Sequence, residues 1–162
     1  MMPPDILEIF AEHQQLKPRD YEAGGQLFGR LAGNTVTVAR ATGPRPTDTR
    51  ARYSYQPDRK AEQAEIDQAL RNGIFFLGDW HTHPELVPTP SSQDLHSIAE
   101  AFKKSTHHLN GFLLVIAGTQ RLPSGLYVAV HNDEEAVRLL PRTPVPCTKQ
   151  IITKEDRHGK VD

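Results

Sequence analysis

At 162 residues the chain has the length of one domain with a buried hydrophobic core. Its 19 basic and 20 acidic side chains leave a formal net charge of -1, which gives no support to a nucleic-acid or membrane surface built on bulk charge. A single cysteine, Cys147, excludes an internal disulfide framework and a multi-cysteine zinc site. With no targeting pattern at the N-terminus and no apolar run long enough for a bilayer, the expectation is a cytoplasmic protein.

Pro3 and Pro4 precede a run in which Ile6, Ile9, Phe10 and His13 recur at helical spacing until Pro18 stops it. This predicts a first helix with one apolar face, His13 lying at its margin or in solvent. A polar segment from Lys17 to Ala23 leads to Gly24-Gly25. Residues 26–31 and 35–41 then read as two strands joined by a turn at Ala32-Gly33-Asn34, the start of a sheet. Residues 42–52, rich in Gly, Pro, Arg and Thr, read as a loop. Its arginines, Arg45, Arg50 and Arg52, are expected in solvent, with a rim for an acidic partner as the alternative. Tyr53-Ser54-Tyr55 is a short strand candidate. Pro57 opens a helix through Arg71, with Ile66, Ala69 and Leu70 on one face and Gly73 ending it. Residues 74–78 are nearly all apolar and suit a buried central strand.

That strand runs into Asp79, Trp80, His81, Thr82 and His83. Histidines two apart leave an extended chain on the same face while Thr82 leaves the other, which makes a clamp for one ion. A third ligand must come from elsewhere, and Asp94 sits where a proline-punctuated loop closes into a helix beginning at Ser91. Two imidazoles and one carboxylate leave a fourth tetrahedral position open to water, the reactive rather than the structural zinc pattern. Ser91-x-x-Asp94 ahead of Leu95, Ile98, Ala99 and Phe102 is equally a capping box, and the readings are compatible, because a cap fixes the helix start and aims Asp94.

Trp80 alternates against His81 and is expected to pack on the opposite face. Asp79 either accepts a histidine N–H or is an exposed acid at the strand end. A metal of this kind needs a carboxylate nearby to take a proton from water and return it to a leaving amine. Glu22 and Glu85 compete for that role. Glu85 follows Pro84 in a loop leaving the site, whereas glycines at 24 and 25 would let a tight turn lean Glu22 over the metal. His107-His108 read as surface residues. Residues 112–117 and 126–131 are two more strands around a loop from Gly118 to Gly125. Prolines at 141, 144 and 146 then lead into a charged tail, expected to be mobile or to contact a partner.

His81-Thr82-His83-Pro84, the seven residues from Pro84 to Pro90, Ser91-x-x-Asp94, and upstream Glu22-Ala23-Gly24-Gly25 together resemble the JAMM signature of the JAB/MPN metalloprotease family. The resemblance covers almost the whole chain. It implies a single-domain α/β sandwich of the cytidine-deaminase-like kind, a curved mixed sheet packed between helices, over residues 1–145, with a tail from 146 to 162. It implies Zn2+ held by His81, His83 and Asp94, with Glu22 as the base. It also assigns Ser91 as donor to the oxyanion formed when water adds to a carbonyl, a stabilisation of a few kcal/mol in comparable sites.

The implied reaction is cleavage of a peptide or isopeptide bond after the C-terminus of a ubiquitin-like protein, whose Gly-Gly tail can lie extended beside the metal against an exposed strand. The stretch from Gly78 to Ser92 is similar in particular to compact bacterial JAB proteins of CBASS-type anti-phage operons, which imply a conjugated cyclic-nucleotide synthase as the target. Neighbouring readings are the JAB protease of another bacterial ubiquitin-like operon and the branch that trims sulfur-carrier proteins in cofactor or cysteine biosynthesis. A metal-free MPN scaffold would lack a ligand or the base, and each is present here. A zinc nucleobase deaminase would need a Pro-Cys-x-x-Cys pair, and Cys147 stands alone. The expected partner is therefore a ubiquitin-like protein or its conjugated target, with no nucleic acid and no membrane. The residues that grip the substrate have no sequence signal.

Overall fold

The computed structural model describes residues 1–141. The expected tail at 146–162, the expected domain end at 145 and Cys147 lie outside the described residues. Helix α1, Pro4–Glu12, starts where Pro3 is extended and carries Asp5 in its first turn, where an acid meets the positive end of the helix dipole. Strands β1, Gly24–Ala32, and β2, Thr35–Ala41, form the expected hairpin, closed by Ala32 opposite Thr35. Two short strands, β3 at Thr49–Ala51 and β4 at Ser54–Gln56, pair only with each other among the described residues. Helix α2, Arg59–Arg71, begins at Asp58, whose side chain accepts the N–H groups of Lys60 and Ala61. The remaining elements are β5 (Phe75–Thr82), α3 (Ser92–Lys104), β6 (Phe112–Ala117), β7 (Leu126–His131) and β8 (Ala136–Arg138).

The main sheet has the order β2-β1-β5-β6-β7-β8. Its neighbours are antiparallel except β5 and β6, which run parallel and need a crossover, supplied by α3. The fold is thus a mixed α/β sheet between helices. Period-two alternation along β6 divides its apolar residues between two cores. Val115 and Ala117 join Leu27, Val38, Leu77 and Trp80 beneath Ile6 and Phe10 of α1. Phe112, Leu114 and Ile116 face the other way, onto Ile98 of α3 with Tyr127 and Ala129. A strand buried on both faces has no polar positions, which is why its sequence is one apolar run. Among the described residues no helix is long and apolar enough to cross a membrane.

Several expectations are corrected. The segment 42–52 is not a plain loop, because it contains β3 and its arginines are struts. Arg45 is nearly buried and grips both carboxylate oxygens of Glu65 at 2.9 and 2.5 Å, while Asp48 below it also accepts the Tyr55 hydroxyl at 2.9 Å. On α2 the covered stripe runs through Glu62 and Ala69, and Leu70, one residue further round the helix, is 59% exposed. His107 is half-buried, its ring tilted against those of Phe102 and Phe112 with Nε2 at 2.9 Å from the Phe102 carbonyl. Gly24 and Gly25 do not turn; both are extended in β1. A side chain is excluded at Gly25 because its Cβ would lie 1.7 Å from the Thr42 carbonyl oxygen. Strand β8, with its exposed residues, carried no sequence signal.

Candidate metal centre

The end of β5 is held on both sides, with His81 opposite Gly24 of β1 and Ile116 of β6. One residue past the strand, the His83 N–H still donates to the Ala117 carbonyl at 3.0 Å. The backbone therefore stays extended through His83, and both imidazoles emerge on the face toward α3 while Trp80 and Thr82 go to the other. Trp80 is buried against Phe10 with its Nε1–H donating to Thr42 O at 2.9 Å, as the alternation predicts.

The two Nε2 atoms meet at 3.2 Å. Asp94 faces both, Oδ1 at 3.2 Å from His81 Nε2 and Oδ2 at 3.5 Å from His83 Nε2. Donors around one tetrahedral ion with bonds near 2.05 Å are separated by about 3.3 Å, close to each of these distances, with Asp94 meeting the two rings through different oxygens. Protonation agrees with that use. Burial, helped by the neighbouring His81, lowers the His83 pKa and favours the neutral ring a metal needs. Burial works against the Asp94 carboxylate, but the hydrogen bond and charge of His81 and the bonds from Ser91 hold it well below the usual range.

Asp94 is aimed by the first turn of α3. Ser91 Oγ accepts the Asp94 N–H at 3.1 Å, and Asp94 Oδ2 accepts the Ser91 N–H at 2.7 Å, a complete capping box. The serine oxygen is the acceptor in that bond, and the Ser91 hydroxyl, which lines the cleft, also helps hold the Asp94 carboxylate ionised.

Glu22 joins the group from β1's approach. One of its carboxylate oxygens and a ring nitrogen of each histidine all lie within 4.8 Å of one another. Its backbone is clamped, the N–H donating to Ala51 O at 2.8 Å and the carbonyl accepting Arg50 Nε–H at 2.7 Å. Burial raises its carboxyl to about 7, with Asp94 adding and His81 opposing. Glu85, the rival acid, is exposed and turns back on its own loop to accept the Thr89 N–H at 3.2 Å. Asp79 fits neither sequence alternative. It lies in the cleft wall with no histidine hydrogen-bonded to it among the described residues, and burial together with Glu62 raises its carboxyl to about 7.

These groups line a cleft of about 960 Å3. Its far wall is the β3–β4 hairpin with Tyr53, Tyr55 and Gln56, joined by Arg59 of α2, and none of these was legible as a site residue. An alternating Tyr-Ser-Tyr beside a Pro-opened helix signals a strand and nothing more.

The family of prokaryotic homologues of the JAB domain matches residues 3–139. A Pseudomonas aeruginosa protein named CD-NTase/cGAS isopeptidase is 38% identical over 91 residues, 54% of this chain and 58% of that protein. A Sinorhizobium fredii protein named probable metalloprotease y4qB is 38% identical over 69 residues, 40% of this chain and 42% of its own length. The matches thus span 58% of the first relative and less than half, 42%, of the second. The solution structure of protein DSY2949 from Desulfitobacterium hafniense superposes with a TM-score of 0.60 at 19% identity, covering 85% of this chain and 88% of that one, a likeness of fold.

Proposed function

The chain belongs to the prokaryotic homologues of the JAB domain, and on that premise we propose that it is a zinc-dependent isopeptidase that cuts the amide bond after the C-terminus of a ubiquitin-like protein. The observation that carries this reading is the convergence of Glu22, His81, His83 and Asp94 at one end of β5. His81, His83 and Asp94 hold the ion. Zinc, when bound, supplies a Lewis acid that lowers the pKa of a water to about 7 and polarises a carbonyl.

The chain's own groups do the rest. Glu22, with its carboxyl raised to about 7 and no side-chain hydrogen bond to compete among the described residues, takes a proton from the attacking water and returns it to the leaving amine. The Ser91 hydroxyl, which lines the cleft, turns its proton to the carbonyl oxygen as negative charge develops there. The tail of the ubiquitin-like protein lies extended in the cleft between the histidine strand and the β3–β4 hairpin.

The name of the Pseudomonas relative supports a more specific target, a conjugated CD-NTase, and with it a role in CBASS deconjugation. The test is a panel in which ubiquitin-like proteins are joined through their C-termini to a CD-NTase or to an unrelated carrier, alongside a sulfur-carrier protein bearing a C-terminal extension. Release of intact CD-NTase, with the sulfur carrier left untouched, is the expected result. Trimming of the sulfur carrier alone would transfer the protein to that branch of the family.

A further inference from the structure

The peptide that carries Glu22 is tied to the histidine strand by a buried polar chain. Thr82, between the two histidines, is fully buried on the face opposite theirs. Its N–H donates to Ala23 O at 2.8 Å and its Oγ1 accepts the Ala23 N–H at 3.0 Å, so one threonine holds both backbone groups of the residue after Glu22. The Thr82 hydroxyl proton goes to Gln15 Oε1 at 3.1 Å. Gln15 follows α1 and is 2% exposed. Its two amide protons go to Arg52 O at 2.7 Å, in the β3–β4 turn, and to Asp20 O at 3.2 Å, ahead of Glu22.

The chain has a fixed direction. The Ala23 amide can only donate, so the Thr82 oxygen accepts, its proton points at Gln15, and the glutamine amide can have one orientation only. A buried glutamine is costly unless its bonds are made, and here both ends are used. Its bonds reach each of the three segments whose spacing matters: the histidine strand, the stretch before Glu22 and the cleft's hairpin wall. Neither Gln15 nor Thr82 lines the cleft.

We infer that Gln15 and Thr82 are positioning residues, which through Ala23 set the distance between the Glu22 carboxylate and the His81–His83 ring nitrogens. This rests on the reading of Glu22 as the base. Misplacing a reacting group by about 1 Å can cost about 100-fold in rate, so the effect of losing the chain belongs in kcat rather than KM.

The experiment uses the full zinc-loaded chain and a ubiquitin-like fusion. Thr82→Val removes the hydroxyl at constant shape, Gln15→Met removes the amide, and Thr82→Ser keeps the hydroxyl. Thr82→Val and Gln15→Met are expected to bind zinc one to one, keep KM and lose about 10- to 100-fold in kcat. The double variant should be no worse than the poorer single one, since both break the same chain. Thr82→Ser should stay within about threefold of wild type. Amide hydrogen exchange adds a readout free of turnover: the Ala23 N–H should exchange faster in Thr82→Val and Gln15→Met while the amides of β6 stay protected. Unchanged kcat in zinc-loaded Thr82→Val, or Thr82→Ser falling as far as Thr82→Val, overturns the positioning role. Unchanged Ala23 exchange overturns the tether whatever the activity. A wild-type chain that cuts no fusion fails the isopeptidase reading instead, and takes the catalytic consequence of the tether with it.

Discussion

A carboxylate that moves protons differs from one that binds metal in what its removal does to the metal. Glu22 lies within 4.8 Å of both histidine nitrogens and Asp94 meets them at 3.2 and 3.5 Å, and in the proposed division Asp94 is the ligand and Glu22 the base. Glu22→Gln is therefore expected to keep stoichiometric zinc and lose about 100- to 10,000-fold in turnover, measured by metal analysis beside a cleavage assay. Asp94→Asn separates the two tasks of its side chain. The amide oxygen can still accept the Ser91 N–H, so α3 should remain capped. Zinc affinity should fall by more than the roughly 10- to 100-fold that the loss of an outer partner costs, as a competitive chelator titration would read. At this scale the sequence was informative wherever chemistry fixes spacing: a histidine pair on one strand face, an acid in the first turn of a helix. It was silent on Gln15, because a glutamine among polar neighbours after a helix looks the same whether it faces water or fills a buried junction.

Elements were legible where periodicity was clean, and their tertiary use was not. The strands at 112–117 and 126–131 coincide with their apolar and alternating runs. Gly24-Gly25 was recognised as special for the wrong reason, since a glycine pair suggests a turn, and the close approach of Thr42 is a contact across the open end of the β1–β2 hairpin. Gly25→Ala should push β1 away from Thr42, lower the melting temperature and weaken turnover, whereas alanine at Gly33, where an added Cβ meets nothing, costs only the positive φ of 56°. The arginines of 42–52 were read as solvated because charge and turn residues usually are. Arg45 instead bridges Asp48 and Glu65 and so ties the base of the β3–β4 hairpin to α2. Its loss would leave the Asp48 carboxylate, fully covered, without its cation. Arg45→Ala is accordingly expected to destabilise the fold by about 3 kcal/mol in chemical denaturation.

Across the whole molecule, the sheet order brings the separate parts of the site to one place. β5 lies between β1, which leads in from Glu22, and β6, which is reached through α3 from Asp94, so three segments distant in sequence converge at the end of one strand. No local pattern encodes that adjacency; the family signature does, because it records residues that the fold has brought together. In the proposed function this convergence makes a zinc-dependent isopeptidase with Glu22 as its base. The most direct test is intact-mass analysis of a ubiquitin-like fusion incubated with the zinc-loaded wild-type chain, with zinc-loaded Glu22→Gln, and with wild type after chelation. The expected result is two wild-type products whose masses place the cut immediately after the native C-terminus, with neither product formed in the other two reactions. Equal cleavage by zinc-loaded Glu22→Gln, or cleavage that survives complete removal of the metal, would contradict it.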